Sequence, residues 1–329
     1  MEQKLKAPFP WFGGKSKVAD LVWKRFGKVE NYVEPFFGSG AVLLGSPRVH
    51  RTETINDLDG FVTNFWRAIA NDPEQTARYS DWPVNENDLH ARHAWLVSQR
   101  EALVPKLEGD PEYFDAKIAG WWVWGICCWI GGEFCSGKGP WSVVNRQLVH
   151  LGNSGKGVNR QRVHLGDAGK GVNRKLVHLG DGNTGGIYDW FDRLRDRLIN
   201  VRVCCGDWSR VCGPTPTVKL GTTAVFLDPP YGEDAKRSPC IYTKDTLSVS
   251  KDVRQWAIEH GDDIRMKIAI CGYDGEHVMP DSWDCVAWKA SGGYGSQSNG
   301  KNQNATKERI WFSPHCEKEE QTTIFSIIK

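Results

Sequence analysis

The sequence predicts an α/β protein built around a Rossmann-like sheet of buried parallel strands. Short apolar runs alternate along the chain with segments of helical spacing, which is the pattern of consecutive βαβ units. Two of these runs end in distinctive loops: the glycine turn Gly38-Ser39-Gly40, and a double-proline loop that begins at Asp228. Because open α/β sheets bind ligands at the carboxyl ends of their strands, both loops are expected at one ligand-binding edge.

The composition is that of a globular chain, with 40% hydrophobic and 25% charged residues among 329. A formal net charge of +2 predicts that any surface for nucleic acid is a local patch. The ten cysteines form no C-x-x-C pair, which favours buried, reduced thiols over a metal site or disulfides. The amino terminus has no signal-peptide pattern, and the most apolar stretch, 120–131, is too short to span a bilayer. We therefore expect a cytoplasmic protein that binds neither a metal nor a membrane.

The first candidate ligand-binding loop is Trp11-Phe12-Gly13-Gly14-Lys15, which precedes a helix predicted over 18–26 with Ser16 as its cap. A glycine pair before a helix lets backbone amides approach a ligand, and Lys15 adds a cation. The Walker spacing is absent, so a ligand carboxylate suits this loop as well as a phosphate does. An ordinary loop before a surface helix is the alternative.

A nucleotide-binding unit is predicted over 31–69. A strand at 32–33 leads to the turn at Gly38 and Gly40 and then to a helix, but the third glycine of the dinucleotide motif is missing, so a nicotinamide cofactor is not supported. A second strand at 52–55 ends in Asn56-Asp57, roughly twenty residues past the glycines, where an acidic residue holds ribose hydroxyls. Asp57 suits that role better than Asp59. The alternative is that Asn56-Asp57 caps a helix over 61–69.

Residues 61–199 are predicted to be an insertion between the two halves of the sheet. The segment is helical to about residue 135, with further helical spacing over 188–198. Between these helices, a 14-residue unit containing Val-Asn-Arg and Val-His-Leu-Gly occurs three times over 144–180. Asn-Arg pairs can read purine edges and neutralise phosphates, so Arg146, Arg160 and Arg174 are candidate DNA-binding residues. A slipped duplication in a solvated loop is the alternative.

The second candidate site follows an apolar strand at 224–227. The loop Asp228-Pro229-Pro230-Tyr231 is rigid, because each proline fixes its own φ and donates no backbone hydrogen bond. It places a carboxylate, a carbonyl and an aromatic ring in fixed relative positions, which suits a planar base with an exocyclic amine. Further strands are predicted at 201–204, 268–271, 285–288 and 309–312.

Three motifs in this order, Trp11–Lys15, Val33-Glu34-Pro35-Phe36-Phe37-Gly38-Ser39-Gly40 and Asp228–Tyr231, resemble the Dam-type (D12 class) adenine-N6 DNA methyltransferases. The resemblance covers about the first 60 residues and roughly 200–312. It implies an S-adenosylmethionine-dependent Rossmann-like catalytic domain, formed by 1–60 and 200–329, with 61–199 as target-recognition region. The implied catalytic residues are Asp228, Pro229, Pro230 and Tyr231, and the implied cofactor-binding residues are Trp11, Gly13, Gly14, Lys15, Glu34, Phe36, Gly38, Gly40, Asp57, Asp207 and Asp228.

We also expect a monomer that acts on double-stranded DNA. Restriction–modification, phage and solitary settings are all compatible with the resemblance. The chain departs from the family over 130–185, where Gly131-Gly132-Glu133-Phe134 is only a faint echo of the usual recognition segment. The target sequence is therefore not predicted. Three alternatives stay open at this point: a cytosine-N4 methyltransferase, a catalytically silent DNA-binding relative, and an RNA acceptor.

Overall fold

The computed structural model describes residues 5–11, 14–129, 134–135, 141–144, 147–150, 186–230, 249–288 and 308–318. The helices within these ranges are α1 (Ala19–Phe26), α2 (Ala41–Leu44), α3 (Gly60–Asn71), α4 (Pro73–Ser80), α5 (Glu86–Gly109), α6 (Ala116–Cys128), α7 (Gly186–Leu198) and α8 (Val249–His260). The strands are β1 (Asn31–Glu34), β2 (Thr52–Asp57), β3 (Trp141–Val144), β4 (Gln147–His150), β5 (Val201–Cys205), β6 (Thr223–Leu227), β7 (Met266–Tyr273), β8 (Asp284–Ala287) and β9 (Glu308–Phe312).

Seven strands form one mixed sheet in the order β5-β2-β1-β6-β7-β9-β8, and β9 alone among them runs against the others. The order reverses direction between β1 and β6, where Val33 lies opposite Thr54 on one side and Val225 on the other. Such a reversal opens a crevice at the carboxyl ends of the strands. The predicted α/β class and mainly parallel sheet are confirmed.

The central strands are apolar because helices cover both faces of the sheet. Every residue of β6 and of β7 is buried, as expected for parallel strands enclosed on two sides. Alternate residues enter different cores, since side chains on a strand alternate in direction: Phe226 belongs to the larger cluster, whereas Val225 and Leu227 belong to the smaller one. The strand that precedes Asp228 is therefore fixed from both sides.

Helices α3 to α7 lie between β2 and β5 in the chain, and they pack into the larger core together with α1, α2 and the sheet. Trp66, Trp122 and Trp124 are almost completely buried there. In the described ranges no helix has both the length and the hydropathy needed to cross a bilayer.

The start of α1 differs from its predicted form. Ser16 is the predicted cap, but the helix begins after Val18 and no side chain caps it, so that prediction is wrong. Residues 16–18 form a turn in which the Val18 N–H donates to the Lys15 carbonyl, and this backbone bond replaces a side-chain cap.

The 14-residue units lie mostly outside the described residues. Of the three units, only Val144 and Gln147–His150 are described, and there β3 and β4 form an antiparallel hairpin. Residues 147–150 of the first unit are therefore extended.

Helices α4 and α6 approach so closely that their contact requires a glycine. A Cβ atom on Gly120 would collide with Tyr79 Cβ and would lie 2.7 Å from the Thr76 carbonyl oxygen. Both neighbours belong to α4, and a backbone atom cannot move aside cheaply.

We predict that Gly120→Ala destabilises the protein by about 1–3 kcal/mol, because overpacking forces the two helices apart. Gly109→Ala is the matched control: nothing lies within 4 Å of its added methyl group, so its free energy of unfolding should stay level or rise slightly. Urea unfolding of both variants measures the difference. Equal stabilities would contradict the proposed steric contact between α4 and α6.

Candidate active site

The site is centred on a buried ion pair that joins two segments far apart in the chain. Lys15 Nζ lies 2.8 Å from Asp228 Oδ2, and the two side chains are 5% and 17% exposed. Asp228 directly follows β6, while Lys15 ends the loop before α1. Separate sequence motifs single out the two residues, and the fold brings them together at the carboxyl edge of the sheet.

Burial and pairing act against each other in this ion pair. Burial raises the pKa of Asp228, although the neighbouring Lys15 ammonium opposes the rise. Burial alone would lower the pKa of Lys15, but neighbouring negative charge, that of Asp228 first, outweighs it, so the net direction for Lys15 is upward. The Lys15 ammonium thus stabilises the carboxylate form of Asp228 against the effect of burial.

The glycine turn needs glycine for two reasons. Gly38 and Gly40 have φ angles of 50° and 71°, a region that side chains disfavour. A Cβ on Gly38 would also collide with the Trp11 indole nitrogen, and one on Gly40 would lie 2.7 Å from Phe37 Cζ. The Trp66 indole N–H donates to the Gly38 carbonyl at 2.9 Å. The turn is thus shaped to receive the Trp11 ring.

Asp57 connects the glycine turn to the end of β2. Its Oδ2 accepts a hydrogen bond from the Gly38 N–H and its Oδ1 accepts one from the Asp59 N–H, each at 2.9 Å. The cap of α3 is Asp59, which accepts from the Phe61 N–H at 2.8 Å, so the helix-cap alternative for Asn56-Asp57 is wrong. Burial, followed by the charge of Asp59, raises the pKa of Asp57 to about 7.

Asn56 is not among the predicted site residues, yet it holds three strand ends together. Its amide nitrogen donates to the carbonyls of Pro35 and Gly206, at 3.1 and 2.9 Å, and its backbone carbonyl accepts from the Phe37 N–H at 3.0 Å. These bonds join the ends of β1, β2 and β5. No sequence pattern signals this role, because a strand-end asparagine is equally typical of a turn or a helix cap.

A comparison with protein families bears directly on this arrangement. Residues 11–101, which include Lys15, the glycine turn and Asp57, match the family model described as D12 class N6 adenine-specific DNA methyltransferase. Over these residues the chain is similar to the D12-class methyltransferases. The resemblance drawn from the sequence motifs is confirmed over these residues, and with it an enzyme that methylates adenine N6 in DNA. A search of curated proteins gave no match for the chain.

Other predicted site residues lie around the same edge. Glu34 is buried and accepts a hydrogen bond from the Tyr32 hydroxyl at 2.8 Å, and burial raises its pKa well above the ordinary value. Phe36 stacks on Trp208 with ring centroids 6.3 Å apart. Asp207 is exposed and accepts hydrogen bonds from the backbone and hydroxyl of Ser209, at 3.0 and 2.5 Å. These contacts fix Glu34 and Asp207 locally.

Some of the remaining predicted site residues lie within the described ranges and others lie outside them. Pro229 is buried and Pro230 half-buried directly after Asp228, and the Gly14 N–H donates to the Trp11 carbonyl at 3.2 Å. Among the described residues, no group of three or more histidine, cysteine, aspartate or glutamate side chains is placed to hold a metal ion. Five predicted site residues lie outside the described ranges: Gly13, Tyr231, Arg146, Arg160 and Arg174.

Sequence reasoning missed one residue near the ion pair altogether. The Lys15 ammonium lies over the ring of Trp288, 5.4 Å from the ring centroid. Trp288 follows β8, and in the sequence it is only the end of a predicted strand. No local pattern marks it, because its proximity to Lys15 depends on the pairing of β8 with β9.

The raised pKa of Asp57 predicts a pH-dependent contribution to stability. Its pKa in the folded state, about 7, lies above the ordinary value of 3.8, so the contribution is complete below about pH 4. It is lost progressively as pH rises towards 7, because the folded state resists ionisation. Relative to Asp57→Asn, the wild-type free energy of unfolding should fall from about pH 4 to about pH 7 and then level off. Urea titrations of both proteins test this, and a pH-independent difference would contradict it.

Proposed function

We propose that this enzyme transfers a methyl group from S-adenosyl-L-methionine to N6 of an adenine flipped out of double-stranded DNA, with Asp228 as the residue that orients N6. The observation that carries the proposal is the Lys15–Asp228 ion pair at the carboxyl end of β6. It supports a carboxylate paired with a cation on the same edge as the glycine turn and Asp57. The D12-class match supports adenine N6 in DNA as the acceptor.

The donor set of the edge fits S-adenosylmethionine. Each carboxylate oxygen of Asp57 accepts one backbone N–H and keeps further acceptor capacity, which suits the two ribose hydroxyls. Lys15 and the amides of the amino-terminal loop suit the carboxylate of the amino-acid moiety. When bound, the cofactor supplies a methyl group activated by its sulfonium. The remaining residues proposed to line the cofactor are Trp11, Gly13, Gly14, Glu34, Phe36, Gly38, Gly40, Asp207 and Asp228.

Asp228 and Pro229 act on the amine. The adenine N6 lone pair is delocalised into the ring, so N6 is a weak nucleophile. The Asp228 carboxylate and the Pro229 carbonyl accept the two N6 hydrogens, which localises the lone pair and aims it at the methyl group. Lys15 keeps Asp228 ionised through its contact with Oδ2. The methylated amine is already acidic, so its proton leaves without a strong base.

Tyr231 completes the base site in this proposal. Stacking of its ring on the extruded adenine offsets part of the cost of flipping, which is a few kcal/mol. Pro229 and Pro230 fix the path of the backbone between Asp228 and Tyr231.

We propose that residues 61–199 form the target-recognition region and that 1–60 with 200–329 form the catalytic domain of a monomer. The position of α3 to α7 and the β3–β4 hairpin between β2 and β5 supports this division. Arg146, Arg160 and Arg174 of the repeated units contact DNA phosphates, and their Asn-Arg pairs contribute base reading. The described cysteines are free thiols, which supports a reducing compartment such as the cytoplasm.

Replacement of Asp228 tests the proposed chemistry. Asp228→Ala should abolish methyl transfer, and Asp228→Asn should lower it by orders of magnitude, because the amide replaces an acceptor with a donor and removes the charge that faces Lys15. Methylation of mixed-sequence DNA with labelled cofactor, followed by nucleoside analysis, measures N6-methyladenine. Asp263→Asn is the matched control, since Asp263 pairs with Arg265 on the surface. Full activity in Asp228→Ala would remove the proposed mechanism.

The repeated arginines are tested by salt dependence. Replacing Arg146, Arg160 and Arg174 with alanine should weaken DNA binding and make the log–log salt slope shallower by about 0.9 for each phosphate that is no longer neutralised. Cofactor affinity should not change.

A control variant for this experiment has alanine at Lys24, Lys28 and Arg265, which removes the same charge from exposed positions on the catalytic domain. Its salt slope should match that of the wild type. An unchanged slope in the repeat variant, with unchanged discrimination between cognate and scrambled duplexes, would assign recognition to the helices instead.

A further inference from the structure

The ammonium of Lys15 has an aromatic neighbour as well as a carboxylate. Its Nζ lies 2.8 Å from Asp228 Oδ2 and 5.4 Å from the centroid of the Trp288 ring. Only 4% of Lys15 is exposed, so water contributes little to the solvation of its charge. A tryptophan face attracts a cation over this distance, and the attraction grows when the cation is desolvated.

Packing and the backbone, rather than a side-chain hydrogen bond, hold the Trp288 ring in place. The Trp288 N–H donates to the Glu308 carbonyl at 3.1 Å, which ties the end of β8 to β9. The ring is half-buried and packs against the larger core. Its indole nitrogen is buried and has no hydrogen-bond partner in the described part of the chain. The ring face therefore makes the polar contact that the indole N–H does not.

We propose that Trp288 is a positioning residue for methyl transfer, which holds the Lys15 ammonium against Asp228 through its ring face. The inference rests on the proposed function, in which Asp228 orients N6 of the adenine. Without the ring, the buried ammonium loses part of the attraction that offsets its desolvation, so it gains by moving towards water. Asp228 is then less well paired with the cation that keeps it ionised, and its carboxylate is less firmly oriented.

Other ionisable groups near the pair also shift the pKa values of Lys15 and Asp228. Glu308 on β9 favours the charged form of Lys15, whereas Glu276, beyond β7, favours the neutral form of Asp228. Burial raises the pKa of Glu34 on β1 well above its ordinary value. These groups act on the pair whether or not the ring is present, so they form a constant background when Trp288 is replaced.

The test is the titration of the Asp228 carboxyl group in the full chain without cofactor. The chemical shift of its carboxyl carbon, measured by ¹³C NMR, reports the titration. In Trp288→Leu, Asp228 should titrate at a higher pH than in wild type, and in Trp288→Phe it should titrate in between, because phenylalanine keeps a weaker ring face. The acid limb of the kcat profile should move in the same direction. At neutral pH, kcat should fall about 2- to 30-fold in Trp288→Leu, with KM for DNA unchanged.

A Lys15→Met background separates positioning from general packing. There, Trp288→Leu should cause no further change in the Asp228 titration, since the cation is already absent. An equal change with and without Lys15 would overturn the proposal, as would an unchanged titration in Trp288→Leu. If Trp288→Leu does not fold, an unchanged titration in Trp288→Phe overturns it. Wild-type protein that makes no N6-methyladenine would refute the proposed function, while the titration would still decide the role of Trp288.

Discussion

The buried pair of Lys15 and Asp228 is the interaction on which the arrangement of the site depends. A carboxylate at the end of a fully buried strand carries a large desolvation cost, which a paired cation offsets. Lys15 supplies that cation from the loop before α1, so the amino-terminal loop and the carboxyl end of β6 must be assembled together. The ligand-binding edge is consequently formed by the tertiary fold and not by either segment alone.

The other half of the edge is organised by hydrogen bonds to backbone groups. Asp57 binds the amide of Gly38, and Asn56 joins the ends of β1, β2 and β5. These bonds fix the glycine turn in its left-handed conformation and leave room for the Trp11 ring. Preorganisation of this kind reduces the ordering cost of binding a cofactor. The two halves meet where the strand order reverses, between β1 and β6.

The aromatic residues outside the site have a structural explanation. Trp122 on α6 contacts Phe9 and stacks in parallel with Phe61, which connects the helical region to the amino-terminal loop. The Arg92 guanidinium lies over the rings of Trp82, Trp121 and Trp124. The Lys117 ammonium lies over the rings of Trp95 and Trp121. Such cation–π contacts stabilise positive charge inside an aromatic environment. The tryptophans thus attach the inserted helices to one another and to the rest of the core.

Hydrophobic periodicity and the backbone limits of proline and glycine are local properties, so the α/β class, most strands, the glycine turn and the double-proline loop could be predicted from the sequence. The position of Asp57 at the end of its strand also favoured it over Asp59 as a ligand residue, which stays a prediction. The tertiary structure was needed to show that Lys15 pairs with Asp228, that Asn56 joins three strands, and that Trp288 lies beside Lys15. These contacts join residues from separate strands and loops, and their distances depend on strand order and packing, which no local pattern encodes.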